Sequence, residues 1–247
     1  MKLNGVIRFK ALALALTLST QAFGYDVEQS ITHAQVYDGG KQYDITHLDT
    51  IQEPRRVFIY AHGSGGLNTS GHPESWSAWL STLGYLVVTP NLYSVPGVVR
   101  NHDPQTKTKN TGAMKPYSYG PCRNPMICLS QESVRQAIHR LDEKITVTEW
   151  NIMGHSLGAG ASSRMQLNRF TSGIISGYRC HRPIKWHEDM HTLSINHEDD
   201  PWMNEYEQRC LEQGVDQELL LDDPDHHHTY HPKSREAVRN FLEAATR

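Results

Sequence analysis

The stretch NIMGHSLGAGASS, residues 151–163, constrains this chain more than any other. An apolar run enters it. Gly154-His155-Ser156-Leu157-Gly158 then forms a G-x-S-x-G turn, and Ala159, Gly160 and Ala161 lead out of it. A buried strand, a sharp turn and a helix of small residues, in that order, hold a serine hydroxyl exposed at the end of a strand. Glycines flank the serine because so sharp a turn brings neighbouring backbone segments into contact. The small residues that follow let the helix pack close to a sheet.

The rest of the chain supplies the sheet. RRVFIYA reads as a buried strand ending at Ala61, and YLVVTP, TEWNIM, GIISGY, HTLSIN and ELLL as further strands. Shorter alternating segments over 34–37 and 43–48 precede them. Helices are predicted over 74–82, with Gly84 as the stop, over 131–144, from Ser156 onward, over 203–214, and over 233–245 behind Pro232. Strands alternating with helices predict an α/β class: one mostly parallel sheet covered on both faces.

Three further segments fall where a nucleophilic serine would need partners. HGSGG, residues 62–66, follows the Ala61 strand. Its glycines permit backbone amides to point at a developing oxyanion, so the amides of Ser64 and Leu157 are the expected donors. NHEDDPW places Glu198, Asp199 and Asp200 directly after a strand, and DDPDHHHTYHP places histidines between the last strand and the last helix. A serine needs a base, and the base needs an acid to orient it. The order serine, acid, histidine satisfies that need and leaves open which acid and which histidine serve.

On these motifs the chain resembles the α/β-hydrolase superfamily, and within it the dienelactone-hydrolase-like esterases, from the HGSGG loop to the final helix. The resemblance implies the α/β-hydrolase fold and a serine mechanism, with Ser156 where dienelactone hydrolases proper carry cysteine. The family's spacing of its acid favours Asp200, with Asp199 the close competitor. Its spacing of proline, histidine and aromatic fits Pro224, His228 and Tyr230, and so favours His228 over His226 and His227. The implied activity is cleavage of a small-molecule carboxylic ester through an acyl-enzyme, with no cofactor. A serine peptidase, an acyltransferase, or a non-catalytic binding protein on the same fold are the alternatives.

Composition narrows the setting. MKLNGVIRFKALALALTLSTQAFG, residues 1–24, has the basic start, short apolar run and small-residue end of a secretory signal peptide. Its apolar run of about eight residues is too short to span a bilayer. Residues 25–247 are then expected to form the single hydrolase domain, secreted or periplasmic and without a membrane anchor. Losing the leader removes three positive charges and no negative one, so the formal charge moves from −3 to −6. That balance argues against nucleic acid as a partner. Four cysteines in an exported chain predict two disulfides, and Cys122–Cys128 with Cys180–Cys210 is the preferred pairing. His181, His187, His191, His197 and His226 lack the H-E-x-x-H or i, i+4 spacing of a metal site, so no metal is expected. The long irregular stretch 91–121 carries Arg100, Lys107, Lys109 and Lys115 against Asp103. It reads as solvated surface, with a cap over the site as the alternative.

Overall fold

The computed structural model describes residues 26–67, 73–96, 98, 125–178, 180, 183–198, 200, 210–222 and 227–245. The expected signal peptide, most of the stretch 91–121, and Cys122, His181, Asp199 and His226 lie outside them.

Among the described residues, eight strands form one sheet: β1 (Gln35–Asp38), β2 (Lys41–Asp44), β3 (Arg55–Ala61), β4 (Tyr85–Thr89), β5 (Val147–His155), β6 (Ser172–Ser176), β7 (His191–His197) and β8 (Gln217–Leu221). Their order across the sheet is β2-β1-β4-β3-β5-β6-β7-β8. β1 runs antiparallel to both of its neighbours, and every pair from β4 to β8 is parallel. The helices are α1 (Gln29–Thr32), α2 (Pro73–Thr82), α3 (Pro125–Lys144), α4 (Leu157–Ser162) and α5 (Pro232–Ala245).

The central strands are buried along most of their length because both faces are covered. Side chains alternate across a strand, so β3 feeds two cores. Val57, Ile59 and Ala61 pack on the side that holds Val134, Ala137 and Leu141 of α3. Phe58 and Tyr60 pack on the side that holds Trp76, Trp79 and Leu80 of α2 with Val238, Phe241 and Leu242 of α5. The spacings of three, four and seven along α3 and α5 are what one buried helical stripe requires.

Three expected elements differ. The chain over 43–48 leaves the strand at Asp44 and enters a 3-10 turn, Ile45–Thr50. The Asp44 carboxylate accepts from the Thr46 amide at 2.9 Å, the local side-chain bond by which aspartate competes with a ladder. The hydrogen bond from the Thr46 hydroxyl, and after it that amide bond, hold the Asp44 carboxyl below its ordinary range. α3 begins at Pro125, six residues earlier than expected, because Pro is tolerated in a first turn and Ile127 and Leu129 add to its buried face. Of the expected helix 203–214, the described part is a 3-10 turn, Cys210–Gln213.

In such a parallel sheet, loops at the carboxyl ends of the strands converge on one edge. The ends of β3, β5, β7 and β8 carry the HGSGG loop, the serine turn, the acid loop and the histidine loop. The topology therefore places all four at the same edge.

Candidate active site

Ser156 follows β5 directly and caps α4 with φ 50° and ψ −114°. Among the described residues it is the one non-glycine with positive φ. Such a conformation is retained only where the surroundings over-determine it, and here contact does so. A Cβ on Gly158 would lie 2.0 Å from the Ala61 carbonyl oxygen, and one on Gly154 would lie 2.6 Å from Ala159 Cα. No side chain fits at either position, so α4 can start hard against β3 only with glycine there. The Ser156 amide donates to the Ser176 carbonyl of β6 at 2.9 Å, which ties the turn to the neighbouring strand. Ser156 itself is half-buried and so reachable.

The HGSGG loop lies against this turn. A Cβ on Gly63 would sit 3.2 Å from Ser156 Cβ. His62, which sequence reasoning left without a role, shapes the loop from beneath. Its Nε2 accepts from the Leu92 amide at 3.0 Å, so its Nδ1–H donates to the Gly63 carbonyl at 2.7 Å. An imidazole buried with one donor and one acceptor engaged fixes both the tautomer and the loop. The Tyr93 hydroxyl adds a bond to the Ser64 carbonyl at 2.5 Å. Ser64 stays exposed above these contacts, and Leu157 opens α4 beside Ser156.

Of the acids considered, Asp200 is wholly buried, and the structure joins it to a histidine. That histidine is His227: its Nδ1–H donates to Asp200 Oδ2 at 2.7 Å. The expectation of His228 is not met in this geometry. Residues 227 to 229 alternate, with His227 half-buried and turned inward, His228 exposed, and Thr229 wholly buried. His197, at the end of β7, enforces the alternation by donating from Nε2 to the His228 carbonyl at 3.0 Å. Tyr230, whose spacing pointed to His228, instead packs edge-on against Trp76 with ring centroids 5.2 Å apart. His227 also meets the serine turn, its ring 4.9 Å from that of His155.

Cys180 and Cys210 form a disulfide, and both are wholly buried. The bridge closes a segment, of sequence separation 30, that includes β7 and Asp200. Cys128 is disulfide-bonded as well, while its expected partner Cys122 lies outside the described residues. Among the described residues, no group of three His, Cys, Asp or Glu side chains is arranged to hold a metal ion. Nor is any described helix long and apolar enough to cross a membrane.

No family model and no curated protein matches the sequence. Solved structures do. One is a dienelactone hydrolase-like promiscuous phosphotriesterase from metagenomic libraries, 17% identical with a TM-score of 0.52, the match covering 85% of this chain and 97% of that one. Another is a protein of unknown function from Agrobacterium tumefaciens str. C58, 16% identical with a TM-score of 0.51, covering 89% and 98%. Likeness at this identity is likeness of fold. It coincides with a mostly parallel eight-stranded sheet whose β5 leads directly into a strained serine: the chain has the α/β-hydrolase fold.

Proposed function

We propose that the chain is an exported serine hydrolase that cleaves carboxylic esters through an acyl-enzyme, with Ser156, His227 and Asp200 as its triad. The observation that carries this reading is the 2.7 Å bond from His227 Nδ1 to the buried Asp200, formed beside a serine held at positive φ. An imidazole whose Nδ1–H is held by a carboxylate has its Nε2 free of a proton, and so able to take one.

In this mechanism Ser156 Oγ attacks the ester carbonyl while His227 Nε2 takes the hydroxyl proton. The carbonyl oxygen becomes an alkoxide, stabilised by the amides of Ser64 and Leu157. Collapse breaks the bond to the leaving alcohol, which receives the proton from the imidazolium. Water then attacks the acyl-enzyme, again with His227 as base, and releases the acid and free Ser156. Asp200 remains a carboxylate throughout and stabilises the imidazolium. Export is supported by the leader-like residues 1–24 and by the buried Cys180–Cys210 bridge, since disulfides persist in oxidising compartments.

A fluorophosphonate probe tests the chemistry. The folded protein is expected to be labelled on Ser156, and Ser156→Ala is expected to show no label. Absence of labelling on folded wild-type protein would sink every serine-hydrolase reading and leave the non-catalytic one. A panel of short- and long-chain 4-nitrophenyl esters, run on the same two proteins, then defines the acyl preference.

A further inference from the structure

A line of four side chains that the mechanism above does not use runs behind the triad. Trp76 on α2 approaches Thr229 Oγ1 through its indole Nε1–H at 3.4 Å. Thr229 Oγ1 shares a short hydrogen bond with Ser176 Oγ. Ser176 Oγ lies 3.0 Å from His155 Nδ1. Ser176 and Thr229 are wholly buried, and His155 is buried beside them.

The donor inventory gives the line a direction. An indole nitrogen only donates, so Thr229 Oγ1 accepts from Trp76. The Thr229 hydroxyl proton then has Ser176 Oγ as its acceptor, and Ser176 donates onward to His155 Nδ1. The opposite sense would leave the Thr229 proton without an acceptor in a dry site, where an unmet donor is most costly. The chain therefore runs Trp76 to Thr229 to Ser176 to His155, and the His155 proton resides on Nε2.

Its two ends matter more than its length. Thr229 is two residues from His227, the proposed base. Ser176 holds the nucleophile from the other side, because its carbonyl accepts from the Ser156 amide at 2.9 Å. One residue of β6 thus binds the serine turn through its backbone and the histidine loop through its side chain. The His155 ring, held by Ser176, is the surface on which the His227 ring rests, 4.9 Å between centroids.

We propose that Ser176 and Thr229 are positioning residues: their hydroxyl pair sets the spacing between Ser156 and His227. The proposal rests on the hydrolase reading and extends it to two residues that touch neither substrate nor reacting atoms. A small misplacement of a catalytic group lowers the chemical step by up to about 100-fold, whereas the substrate pocket keeps its walls. The expected signature is a loss in kcat with KM preserved.

The test compares Thr229→Val, which keeps the shape and removes the hydroxyl, with Thr229→Ser, which keeps the hydroxyl. On a 4-nitrophenyl ester, Thr229→Val is expected to lose about 10- to 100-fold in kcat at unchanged KM. Thr229→Ser is expected to stay within about threefold of wild type. Ser176→Ala removes one buried oxygen and is expected to match Thr229→Val; it carries the test should the valine variant not fold. Imidazole 15N NMR on the full chain is expected to show His155 Nδ1 as a hydrogen-bonded acceptor, a signature that Ser176→Ala abolishes. Wild-type kcat in both hydroxyl-deleted variants overturns the proposal, as does Thr229→Ser falling as far as Thr229→Val. Unchanged turnover in Ser156→Ala overturns the hydrolase reading and this proposal together. Loss of turnover in Ser156→Ala with wild-type kcat in both hydroxyl-deleted variants overturns the positioning role alone.

Discussion

The serine turn and the histidine loop meet at one edge of the sheet, yet they are held there by different physics. The turn is held by steric contact. Gly154 and Gly158 lie so close to Ala159 and Ala61 that no added carbon fits, and Ser156 takes a strained conformation as the result. The loop is held by polar contacts: His227 to Asp200, His197 to the His228 carbonyl, and Thr229 to Trp76 and Ser176. Contact of the first kind fails when an atom is added. Contact of the second kind fails when a donor or acceptor is removed. The proposed mechanism needs both, because a rigid nucleophile is useless without a base kept in register with it.

The largest effect expected from this contrast lies inside the loop, between two adjacent histidines. His227→Ala removes the group that Asp200 orients, so kcat on a nitrophenyl ester should fall by about 10⁴- to 10⁶-fold. His228→Ala removes an exposed side chain and leaves the backbone carbonyl that His197 grips, so kcat should stay within about threefold. Steady-state kinetics on both variants decides the matter. Severe loss in His228→Ala with activity retained in His227→Ala would overturn the assignment of the base.

The turn should break in the opposite way, through stability first. Gly158→Ala places a carbon 2.0 Å from the Ala61 carbonyl oxygen, a backbone atom that cannot swing aside. Overpacking of this kind costs about 3 kcal/mol or more. For a domain of this size that lowers Tm by about 6–12 °C. Thermal melts check it; a Tm within about 2 °C of wild type would mean that α4 can shift off β3 and that the turn is softer than its contacts imply.

An intermediate effect is expected at His197, which holds the loop without facing the reaction. His197→Phe keeps the ring and removes the donor to the His228 carbonyl, which should destabilise by about 1–2 kcal/mol. Chemical denaturation measures this. Activity should fall less than in His227→Ala, because the Asp200 bond still orients the His227 ring.

The same contrast explains what could be read from the sequence. The serine turn was legible because its constraint is local: glycines and small residues at fixed offsets around Ser156 determine whether that backbone can close. The strands were legible for the same reason, since the buried runs in β3 and β4 announce themselves without reference to their neighbours. An acidic partner was legible only as one of Glu198, Asp199 and Asp200 after β7, of which Asp200 is bonded to His227. The histidine that bonds it was not, because three adjacent imidazoles offer the same chemistry and their facing depends on a residue 31 positions away, through His197 Nε2. Tyr230 misled for a related reason: its partner is Trp76 on α2, a contact that no spacing within the loop reveals. A usable signal was the alternation itself. A residue as small as Thr229 between His228 and Tyr230 suits a buried position, and in an extended segment the side chain two residues earlier shares its face.

The smallest expected effect concerns the outer ends of the histidine loop, where polar holding is weakest. Asp222 leaves β8 and meets Lys233, in the first turn of α5, with Nζ donating to Oδ1 at 3.0 Å. The hydrogen bond from Lys233 holds the Asp222 carboxyl below its ordinary range, assisted by a backbone bond and the charge itself. A carboxyl lowered in the folded state adds stability above its unfolded pKa, and that stability is lost as pH falls through its folded value. The pair is exposed, so its contribution at neutral pH should be near the limit of detection and should shrink with salt. Asp222→Asn should therefore melt slightly below wild type near pH 7 and converge with it as pH falls through and below the carboxylate range, while kcat stays unchanged. A gap in Tm that persisted at acid pH would show that Asp222 holds the loop by something other than its charge. A fall in kcat at neutral pH would show that register between Ser156 and His227 depends on the loop's outer ends as well as on the buried contacts at its centre.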